Sequence, residues 1–482
     1  MHKQPNVLMI CVDEWGQNKL ADSQVMTPTL DYLAKNGIAL AGSYSSCPVC
    51  IPARRSMMTG LTPKTHGDRV YSDRMVMPKA KTMAQCFRDA GYQAVAVGKL
   101  HVYPQRDRIG FDEVILTEEG RYDFGMTDDY QIYLGEHGHV GEEFMHAMGN
   151  NVYYTRPWHL DEKLHPTNWV TWQMAKQIKR HDPTRPAFFF CSYQFPHPPL
   201  VPTQTFWDMY QNQTLKAPLD DDWHEDKWIF KALADSADIY TDREQDRARK
   251  AYFAQCTHID YSIRTLIGTL RECNMLDDTI IVFLADHGDM LFDHHMVAKR
   301  LFYESSANVP TIFSGKPMER FLGKGFEERL FCLEDVMPTL LDLCGISIPS
   351  SVEGTPFFSS HERNEIYGEI GEGDKATRML RTKDFKLTYY PCGNVKQLFD
   401  MHADRDEHHN LAGLEAYSSV LEEMEEKLIP YLNKGDLAWI KDGKLVGYPD
   451  KKYESKHDFT LYNQRGYHWP TPEGYSSIGT NA

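Results

Sequence analysis

The sequence lacks a long apolar run and a recognisable leader. No stretch reaches the roughly 18 uncharged apolar residues that a membrane-spanning helix needs. The apolar run at residues 7–12 is short, and Asp13 and Glu14 end it without the small-residue cleavage site that follows a secretory signal. We therefore predict a cytoplasmic protein with no membrane contact, in which this run forms a buried first strand.

The sequence also contains few cysteines, and it has fewer basic than acidic residues. Ten cysteines in 482 residues are too few for a disulfide framework, and most of them stand in apolar runs that are typical of reduced core residues. The formal net charge is −16, with 52 Lys and Arg against 68 Asp and Glu. Such a charge argues against nucleic acid or an anionic membrane surface as a partner. An anionic substrate would need a local concentration of basic side chains.

Repeats and low-complexity segments are absent, and short apolar runs alternate with helical patterns. Buried strands are predicted at 6–12, 93–99, 187–193, 279–285 and 311–314. This alternation predicts an α/β domain with a large, mostly parallel sheet flanked by helices. In such a sheet, ligands bind beyond the carboxyl ends of the strands. The polar residues at or just past such an end are Asp13, Lys99, His197 and Asp286.

The pattern changes near residue 365. Antiparallel strands and an amphipathic helix are predicted at 377–390, 397–401 and 416–433. We therefore predict a catalytic domain at 1–365 and a smaller α+β domain at 366–482, which bears an antiparallel sheet and an aromatic-rich tail. Residues 120–175 show no clean period and are predicted to form a loop-rich insertion.

Two cysteines stand apart, because Cys47 and Cys50 form a Cys-x-x-Cys pair. A zinc site would need a second pair of ligands, and none is evident at a suitable spacing. A redox pair would need to lie at the head of a helix in a small domain. The alternative is a helix opened by Pro52, whose N-terminus places Cys50 where backbone N–H groups favour an anion. Arg54 would then supply a fork-shaped donor for a tetrahedral oxyanion.

The run Cys50-x-Pro52-x-Arg54, which continues through Ser56 to Gly60, resembles the signature of the type I sulfatases of the alkaline phosphatase superfamily. In that family, a formylglycine-generating enzyme oxidises the cysteine after translation. The resemblance extends from about residue 6 to about residue 413, and features outside the motifs loosely resemble choline-sulfatase-like enzymes. It implies an alkaline phosphatase-like fold and hydrolysis of a sulfate monoester through a formylglycine derived from Cys50.

The resemblance also implies a site for one divalent metal ion. Asp13 and Glu14 match the family's first pair of ligands, Asp286 and His287 match its second pair, and the modified Cys50 completes the set. Carboxylate oxygens suit Ca²⁺, Mg²⁺ or Mn²⁺. Glu14 stands where the family more often carries Asp, and His287 stands where many members carry Asn. We expect Ca²⁺, with Mn²⁺ as the alternative that an imidazole ligand favours.

Further matches concern the substrate. The residues that match the family's sulfate-facing and substrate-facing positions are Lys99, His101, His197 and Lys299. Lys99 and His101 are predicted to lie on one side of a strand end, at a period of two. In the related phosphonate monoester hydrolases, uncharged residues replace this pair. Its presence therefore favours a sulfate ester over a phosphonate ester.

Together these residues predict a mechanism. Arg54 and the metal neutralise the sulfate oxygens, and the hydrated aldehyde at position 50 attacks sulfur. His197 or Lys299 protonates the departing alcohol. His101 then removes a proton, so that sulfate is released and the aldehyde returns.

Other functions remain open on sequence grounds. The same scaffold could hydrolyse a phosphonate monoester or a phosphodiester. A non-catalytic binding protein would be expected to lack one or more of Cys50, Asp13, Asp286 and His101, which are all present. The expected partners are a small sulfated substrate and the formylglycine-generating enzyme. The alcohol (sugar, choline or aryl) and a homo-oligomeric assembly are not specified by the sequence.

Overall fold

The computed structural model describes residues 4–72, 74–120, 127–223 and 235–451. The predicted aromatic-rich tail, residues 452–482, lies outside the described residues. Two sheets organise the described chain, one of seven strands and one of four. The strands are β1 (Asn6–Asp13), β2 (Ile38–Leu40), β3 (Gly42–Tyr44), β4 (Gln93–Gly98), β5 (Glu113–Leu116), β6 (Ala187–Pro196), β7 (Asp235–Ser236), β8 (Thr279–Ala285), β9 (Met296–Val297), β10 (Thr311–Ser314), β11 (Leu330–Cys332), β12 (Glu365–Ile370), β13 (Thr377–Thr382), β14 (Phe385–Tyr390), β15 (Val395–Asp400), β16 (Ile440–Lys441) and β17 (Lys444–Leu445).

Helices flank the large sheet and cover the smaller one. The helices are α1 (Gln17–Leu20), α2 (Pro28–Lys35), α3 (Cys50–Thr59), α4 (Pro63–His66), α5 (Met83–Asp89), α6 (Asp129–Glu136), α7 (Pro166–Arg180), α8 (Gln204–Tyr210), α9 (Asp242–Glu272), α10 (Glu304–Ala307), α11 (Val336–Leu343) and α12 (Ser418–Leu428). Helices α7 and α9 pack against β6, α5 packs against β4, and α2 packs against β10. This arrangement confirms the predicted α/β architecture.

The large sheet has the strand order β2-β10-β8-β1-β6-β4-β5. Strand β1 lies between β6 and β8 and is parallel to both. Strand β10 is antiparallel to its two neighbours, so the sheet is mixed but mostly parallel. All eight residues of β1 are buried, as expected for a strand covered on both faces. Each of the five predicted strands is found, with ends that differ by at most three residues.

The end of β4 requires a glycine. Gly98 has a φ of +104°, and a Cβ there would lie 1.8 Å from the carbonyl oxygen of Ser192 on the neighbouring strand. Any side chain would push the two strands apart. Gly98 therefore lets β4 end against β6 and turns the chain at Lys99 towards the carboxyl edge of the sheet.

The predicted loop-rich insertion at 120–175 is wrong in part, because it contains α6 and most of α7. In α7, the polar Thr171 and Gln177 are buried, whereas Trp172 is 56% exposed. These exceptions hide the helical period of the apolar residues. The helix begins after His165, whose side chain accepts the Thr167 N–H, and Pro166 occupies its first turn.

The four-stranded sheet is antiparallel throughout, with the order β12-β13-β14-β15, as predicted. Met424 and Leu428 of α12 pack with Leu387 and Leu398 of the sheet in a separate apolar cluster. The proposed domain boundary at 365/366 stays a prediction, although the first strand of this sheet begins at residue 365.

Ion pairs join the loop after α4 to the C-terminal part of the chain. The guanidinium of Arg69, in the loop after α4, binds the carboxylates of Glu369 at 2.7 Å, Glu372 at 2.6 Å and Asp436 at 3.1 Å. Asp436 also pairs with Arg378 of β13 at 2.8 Å. The loop at 67–72 is therefore fixed by the C-terminal part of the chain.

The sequence predicts neither a disulfide framework nor a membrane-spanning helix. None of the ten cysteines pairs with another in a disulfide, which agrees with the prediction that they form no disulfide framework. Among the described residues, no helix has the length and apolar character needed to cross a membrane.

A cluster of histidines is buried beside α7 and α9. His146, His165 and His258 are at most 3% exposed. The ring centroids of His165 and His258 lie 5.0 Å apart, and Trp158 lies 5.2 Å from His165. Burial lowers the pKa of His146 and of His258 to about 3, and it holds that of His165 well below its usual range. These imidazoles are therefore neutral in the folded chain at neutral and mildly acidic pH.

We expect the fold to lose stability between pH 7.5 and pH 5.5. The unfolded chain binds protons on these histidines near pH 6.5 and the folded chain does not, so unfolding takes up protons as the pH falls. Each of the three imidazoles should lower the free energy of unfolding by up to about 1.36 kcal/mol for every pH unit below 6.5. Urea unfolding at a series of pH values measures this slope. His258→Gln should reduce the uptake by about one proton, and an unchanged slope in that variant would contradict the assignment.

Candidate active site

The carboxyl ends of four neighbouring strands meet at one edge of the large sheet. Asp13 ends β1, Asp286 follows β8, Lys99 follows β4 and His197 follows β6. Because these strands are adjacent and parallel, their following residues converge. The structure therefore brings together the residues that the strand pattern placed at this edge.

Helix α3 delivers Cys50 to the same edge. The helix begins at Cys50 after the extended Val49 and ends at Gly60, which has a φ of +66°. The Cys50 Sγ lies 3.1 Å from His287 Nε2 and 3.7 Å from Asp13 Oδ1. Burial, together with the Asp13 charge, raises the pKa of the Cys50 thiol to about 11. The predicted helix is confirmed, and its first residue lies among the carboxylates.

Four side chains form a possible metal site. The ligand atoms of Asp13, Cys50, Asp286 and His287 all lie within 4.8 Å of one another, and all four residues are buried. The Nδ1 of His287 lies 3.0 Å from the carbonyl oxygen of Gly288, so Nδ1 donates there and Nε2 keeps its lone pair. Nε2 faces Asp13 Oδ1 at 3.5 Å. Two carboxylates and an imidazole lone pair fit a divalent cation.

Glu14 was predicted to bind the metal, and one of its carboxylate oxygens already pairs with a lysine. Its Oε2 accepts from Lys299 Nζ at 2.9 Å, and its carbonyl oxygen accepts from the hydroxyl of Tyr252 at 2.5 Å. Its Oε1 is buried and has no hydrogen-bond partner among the described residues. Burial raises the pKa of Glu14 above its usual range, although Lys299 opposes this shift. Glu14 forms a second possible cation group with Asp13 and His197, and its role as a ligand stays a prediction.

Arg54 spans the floor of the site. Its Nε donates to Asp286 Oδ2 at 2.7 Å, and its Nη1 donates to Ser192 Oγ and to the Lys99 carbonyl, both at 2.9 Å. Its Nη2 lies 3.8 Å from Asp13 Oδ2. Nη2 is buried and has no hydrogen-bond partner in the part of the chain that the structure describes, so this nitrogen can donate to an oxyanion. Ser192 was not identified from the sequence, and no local pattern marks it.

Lys99 neutralises Asp13. Its Nζ contacts Asp13 Oδ2 and Glu119 Oε1 inside the protein. Burial would raise the pKa of Asp13, but Lys99 and the other nearby cations hold it well below its usual range. Glu119 was not predicted from the sequence. The acidic pair Glu118 and Glu119 soon after a strand end is the signal that could have identified it.

His101 lies beyond the strand end, so the predicted period-two arrangement with Lys99 is wrong. Strand β4 ends at Gly98, and His101 has a φ of +59°. The Glu118 carboxylate accepts the backbone N–H groups of Leu100 at 2.9 Å and His101 at 3.1 Å. This carboxylate, and not a strand, fixes the position of His101.

Lys299 and His197 form a close pair. The Lys299 Nζ lies 2.6 Å from His197 Nε2, and His197 Nδ1 lies 2.6 Å from the carbonyl oxygen of Pro198. Nδ1 therefore donates and Nε2 accepts. Burial and the Lys299 charge lower the pKa of His197 to about 3. Burial alone would lower the pKa of Lys299, because it disfavours the charged form. The negative charge of Glu14 instead raises the pKa of Lys299 above its usual range. Lys299 is the cation and His197 the neutral partner.

Family models and characterised relatives match most of the chain. The sulfatase family model matches residues 5–346, and the model for the C-terminal part of N-sulphoglucosamine sulphohydrolase matches residues 292–434. The chain is 34% identical over 473 residues to an arylsulfatase of Clostridium perfringens (strain 13 / Type A), covering 92% of this chain and 98% of that relative. It is 31% identical over 435 residues to a choline-sulfatase of Rhizobium meliloti (strain 1021), covering 85% and 82%.

Solved structures share the fold. The phosphonate monoester hydrolase of Silicibacter pomeroyi has a TM-score of 0.73 at 22% identity, covering 94% of this chain and 100% of that chain. A structure in complex with its substrate D-glucosamine-2-N,6-O-disulfate has a TM-score of 0.69 at 18% identity, covering 89% and 97%. The fold and the site define a hydrolase of the alkaline phosphatase superfamily. The chain belongs to the sulfatase family and is a sulfatase enzyme.

We expect Asp286→Asn to lose stabilisation by divalent cations, because this change removes a charged ligand from the four-residue group. At a cation concentration roughly 100 times Kd, the bound ion should stabilise the wild type by about 2.7 kcal/mol. The melting temperature of chelator-treated protein, with and without added Ca²⁺ or Mn²⁺, measures the effect. The exposed Asp208 provides the control Asp208→Asn, which should respond as the wild type does. Equal stabilisation of all three proteins would place the cation elsewhere.

Proposed function

We propose that this enzyme hydrolyses a sulfate monoester to an alcohol and inorganic sulfate, through a formylglycine derived from Cys50 and one divalent metal ion. The observation that carries the proposal is the position of Cys50. Its side chain lies at a helix N-terminus, next to Asp13 and His287, and the cationic Arg54 and Lys299 approach the same cluster. A reacting anion at residue 50 would thus meet both a cation site and fixed positive charge.

The metal would be held by Asp13, Asp286, His287 and residue 50. When bound, it would act as a Lewis acid that withdraws charge from the sulfate oxygens. We propose Ca²⁺, with Mn²⁺ as the alternative, since the Nε2 lone pair of His287 is a ligand that Mn²⁺ accepts more readily than Ca²⁺ does. The Glu14 Oε1, which is buried and accepts no hydrogen bond from any described residue, supports a further contact with the cation.

The protein residues then have separate tasks. Residue 50, as a hydrated aldehyde, supplies the nucleophilic hydroxyl. The Nη2 of Arg54 donates to a sulfate oxygen and holds the ester in line with that hydroxyl. Lys299 Nζ, which is charged and faces the neutral His197, donates a proton to the departing alcohol. His101, fixed by Glu118, accepts the proton whose removal releases sulfate.

A phosphonate monoester or phosphodiester hydrolase on the same scaffold is the second candidate. The fold similarity to a phosphonate monoester hydrolase favours it. Lys99 and His101, which are both buried, favour a sulfate ester. The ratio of kcat/KM for an aryl sulfate to that for an aryl phosphonate separates the two, and a ratio below one would favour the second candidate.

The partners and the location are proposals as well. A small sulfated substrate and the formylglycine-generating enzyme are the proposed partners, with no nucleic acid and no membrane. A cytoplasmic location and a homo-oligomer stay predictions. The similarity to an arylsulfatase and a choline-sulfatase supports an aryl or a small alkyl alcohol, and a sugar alcohol remains in the test panel.

Mass spectrometry of the tryptic peptide that contains Cys50 tests the nucleophile. We expect the active protein to yield a peptide about 18 Da lighter than the cysteine form. Cys50→Ser, expressed with the modifying enzyme, should lose kcat on the order of 10³-fold or more, because its hydroxyl is not part of a geminal diol. A sulfated peptide should accumulate in that variant. Full activity of a protein with an intact Cys50 thiol would exclude the proposed nucleophile.

Lys299→Met tests the proton donor. A general acid contributes about 10²–10⁴-fold, and it matters most when the leaving alcohol is a poor one. We therefore expect a much larger loss of kcat/KM for an alkyl sulfate than for para-nitrophenyl sulfate, whose phenolate needs little assistance. Equal losses for the two esters would instead assign Lys299 to sulfate binding alone.

A further inference from the structure

The exposure of the site residues shows where the site opens. Asp13 is fully buried and Cys50 is 1% exposed, whereas His101 and Lys299 are each 7% exposed. Tyr71, next to His101, is half-buried, and Arg300, which follows Lys299, is exposed. His101 contacts Tyr71, and Lys299 directly precedes Arg300, so two of the predicted site residues are adjacent to two residues that reach solvent.

Tyr71 is held against His101. Its hydroxyl lies 3.4 Å from His101 Nε2, and the two rings meet edge to face with centroids 5.9 Å apart. The Asp68 Oδ1 accepts the backbone N–H groups of Val70 at 3.1 Å and Tyr71 at 2.9 Å, and its Oδ2 accepts that of Ser72 at 3.0 Å. A buried carboxylate thus fixes the backbone that presents the Tyr71 ring.

Arg300 covers the other side of Tyr71. The centre of its guanidinium lies 5.7 Å from the Tyr71 ring centroid, and its backbone N–H donates to the Pro48 carbonyl at 3.0 Å, close to the start of α3. Within the described part of the chain, no carboxylate lies within ion-pair distance of this guanidinium. In a protein of net charge −16, an exposed arginine without a carboxylate partner at the mouth of an active site is an available anion receptor.

Three residues at this mouth share an unusual backbone conformation. His101, Tyr71 and Arg300 have φ values of +59°, +70° and +76°. Residues other than glycine rarely adopt this region, and strain of this kind persists only where the surroundings enforce it. Hydrogen bonds to Glu118, Asp68 and Pro48 enforce it here. The backbone that carries each of these three side chains is therefore held by a hydrogen bond.

We propose that Tyr71 and Arg300 form the subsite for the alcohol portion of the substrate, and that they select an alcohol that carries a second anionic group, a carboxylate or a further sulfate. The inference rests on the proposed function, since it locates the leaving group of that reaction. The Tyr71 ring provides apolar surface beside the Arg300 guanidinium. The Arg300 guanidinium provides two parallel donors for the second anion.

The test compares matched esters. Meta-carboxyphenyl sulfate and meta-carbamoylphenyl sulfate have the same shape and differ in charge, and meta-phenylene disulfate presents a sulfate in place of the carboxylate. The wild type is expected to prefer the carboxylate to the amide in kcat/KM, and Arg300→Ala should reduce this preference about tenfold. Arg300→Lys should keep part of it, because the charge remains. Comparing the disulfate with the carboxylate shows which second anion the subsite prefers.

A matched control distinguishes charge recognition from general packing. Arg264 is also exposed, and its guanidinium stacks over Tyr261 at 4.3 Å. Arg264 lies 12 residues after Tyr252 in α9, which is about 18 Å further along the helix. Because the Tyr252 hydroxyl contacts Glu14, this spacing separates Arg264 from the site. Arg264→Ala should keep the wild-type activity and preference. A wild type without the preference, or an Arg300→Ala variant that retains it, would overturn the proposal.

Binding of the product alcohols separates this inference from the proposed function. Calorimetric titration with meta-hydroxybenzoate and meta-hydroxybenzamide reports on the subsite without turnover. Tighter binding of the benzoate by the wild type, reduced to the level of the amide in Arg300→Ala, supports the subsite even if no sulfate ester is hydrolysed. Equal binding of the two alcohols by the wild type would count against it, whatever the enzyme hydrolyses.

Discussion

The balance of buried charge around Asp13 is the constraint on which the rest of this site depends. Asp13 has no solvent exposure, and a buried carboxylate without partners would cost several kcal/mol. Lys99 and Arg54 supply the compensating charge. The same pairing recurs for Asp286 with Arg54 and for Glu14 with Lys299. The cations that would receive an anionic substrate are thus the ones that already pair with the buried carboxylates.

Backbone contacts at the sheet edge make this charge balance possible. A Cβ at Gly288 would lie 2.1 Å from the Ser305 carbonyl oxygen, so only glycine lets the loop after β8 approach so closely. Together with Gly98 at the end of β4, this position brings Asp286 and Lys99 within reach of the same arginine. The close approach of backbones, and not the side chains alone, determines the spacing of the charges.

Much of this arrangement could be predicted from the sequence, and the exceptions have physical reasons. Apolar runs mark buried strands directly, so the strand ends and the residues just beyond them could be identified. Ser192 could not, because its contact with Arg54 joins residues 138 positions apart. His101 was placed on a strand, but a carboxylate from a different strand end fixes it. Helix α7 was missed because buried polar residues interrupt its apolar period.

The ion pairs of Arg69 have a consequence for how the chain can be divided. Arg69 is tied to Glu369, Glu372 and Asp436, and the residue before it, Asp68, holds the loop that carries Tyr71. The C-terminal part of the chain therefore stabilises the loop that carries Tyr71. A fragment cut before the four-stranded sheet would keep the predicted catalytic and metal-binding residues, yet Arg69, in the loop that carries Tyr71, would lose its three carboxylate partners. The two parts of the chain therefore depend on each other. Replacing either part with an unrelated domain would remove one side of these ion pairs.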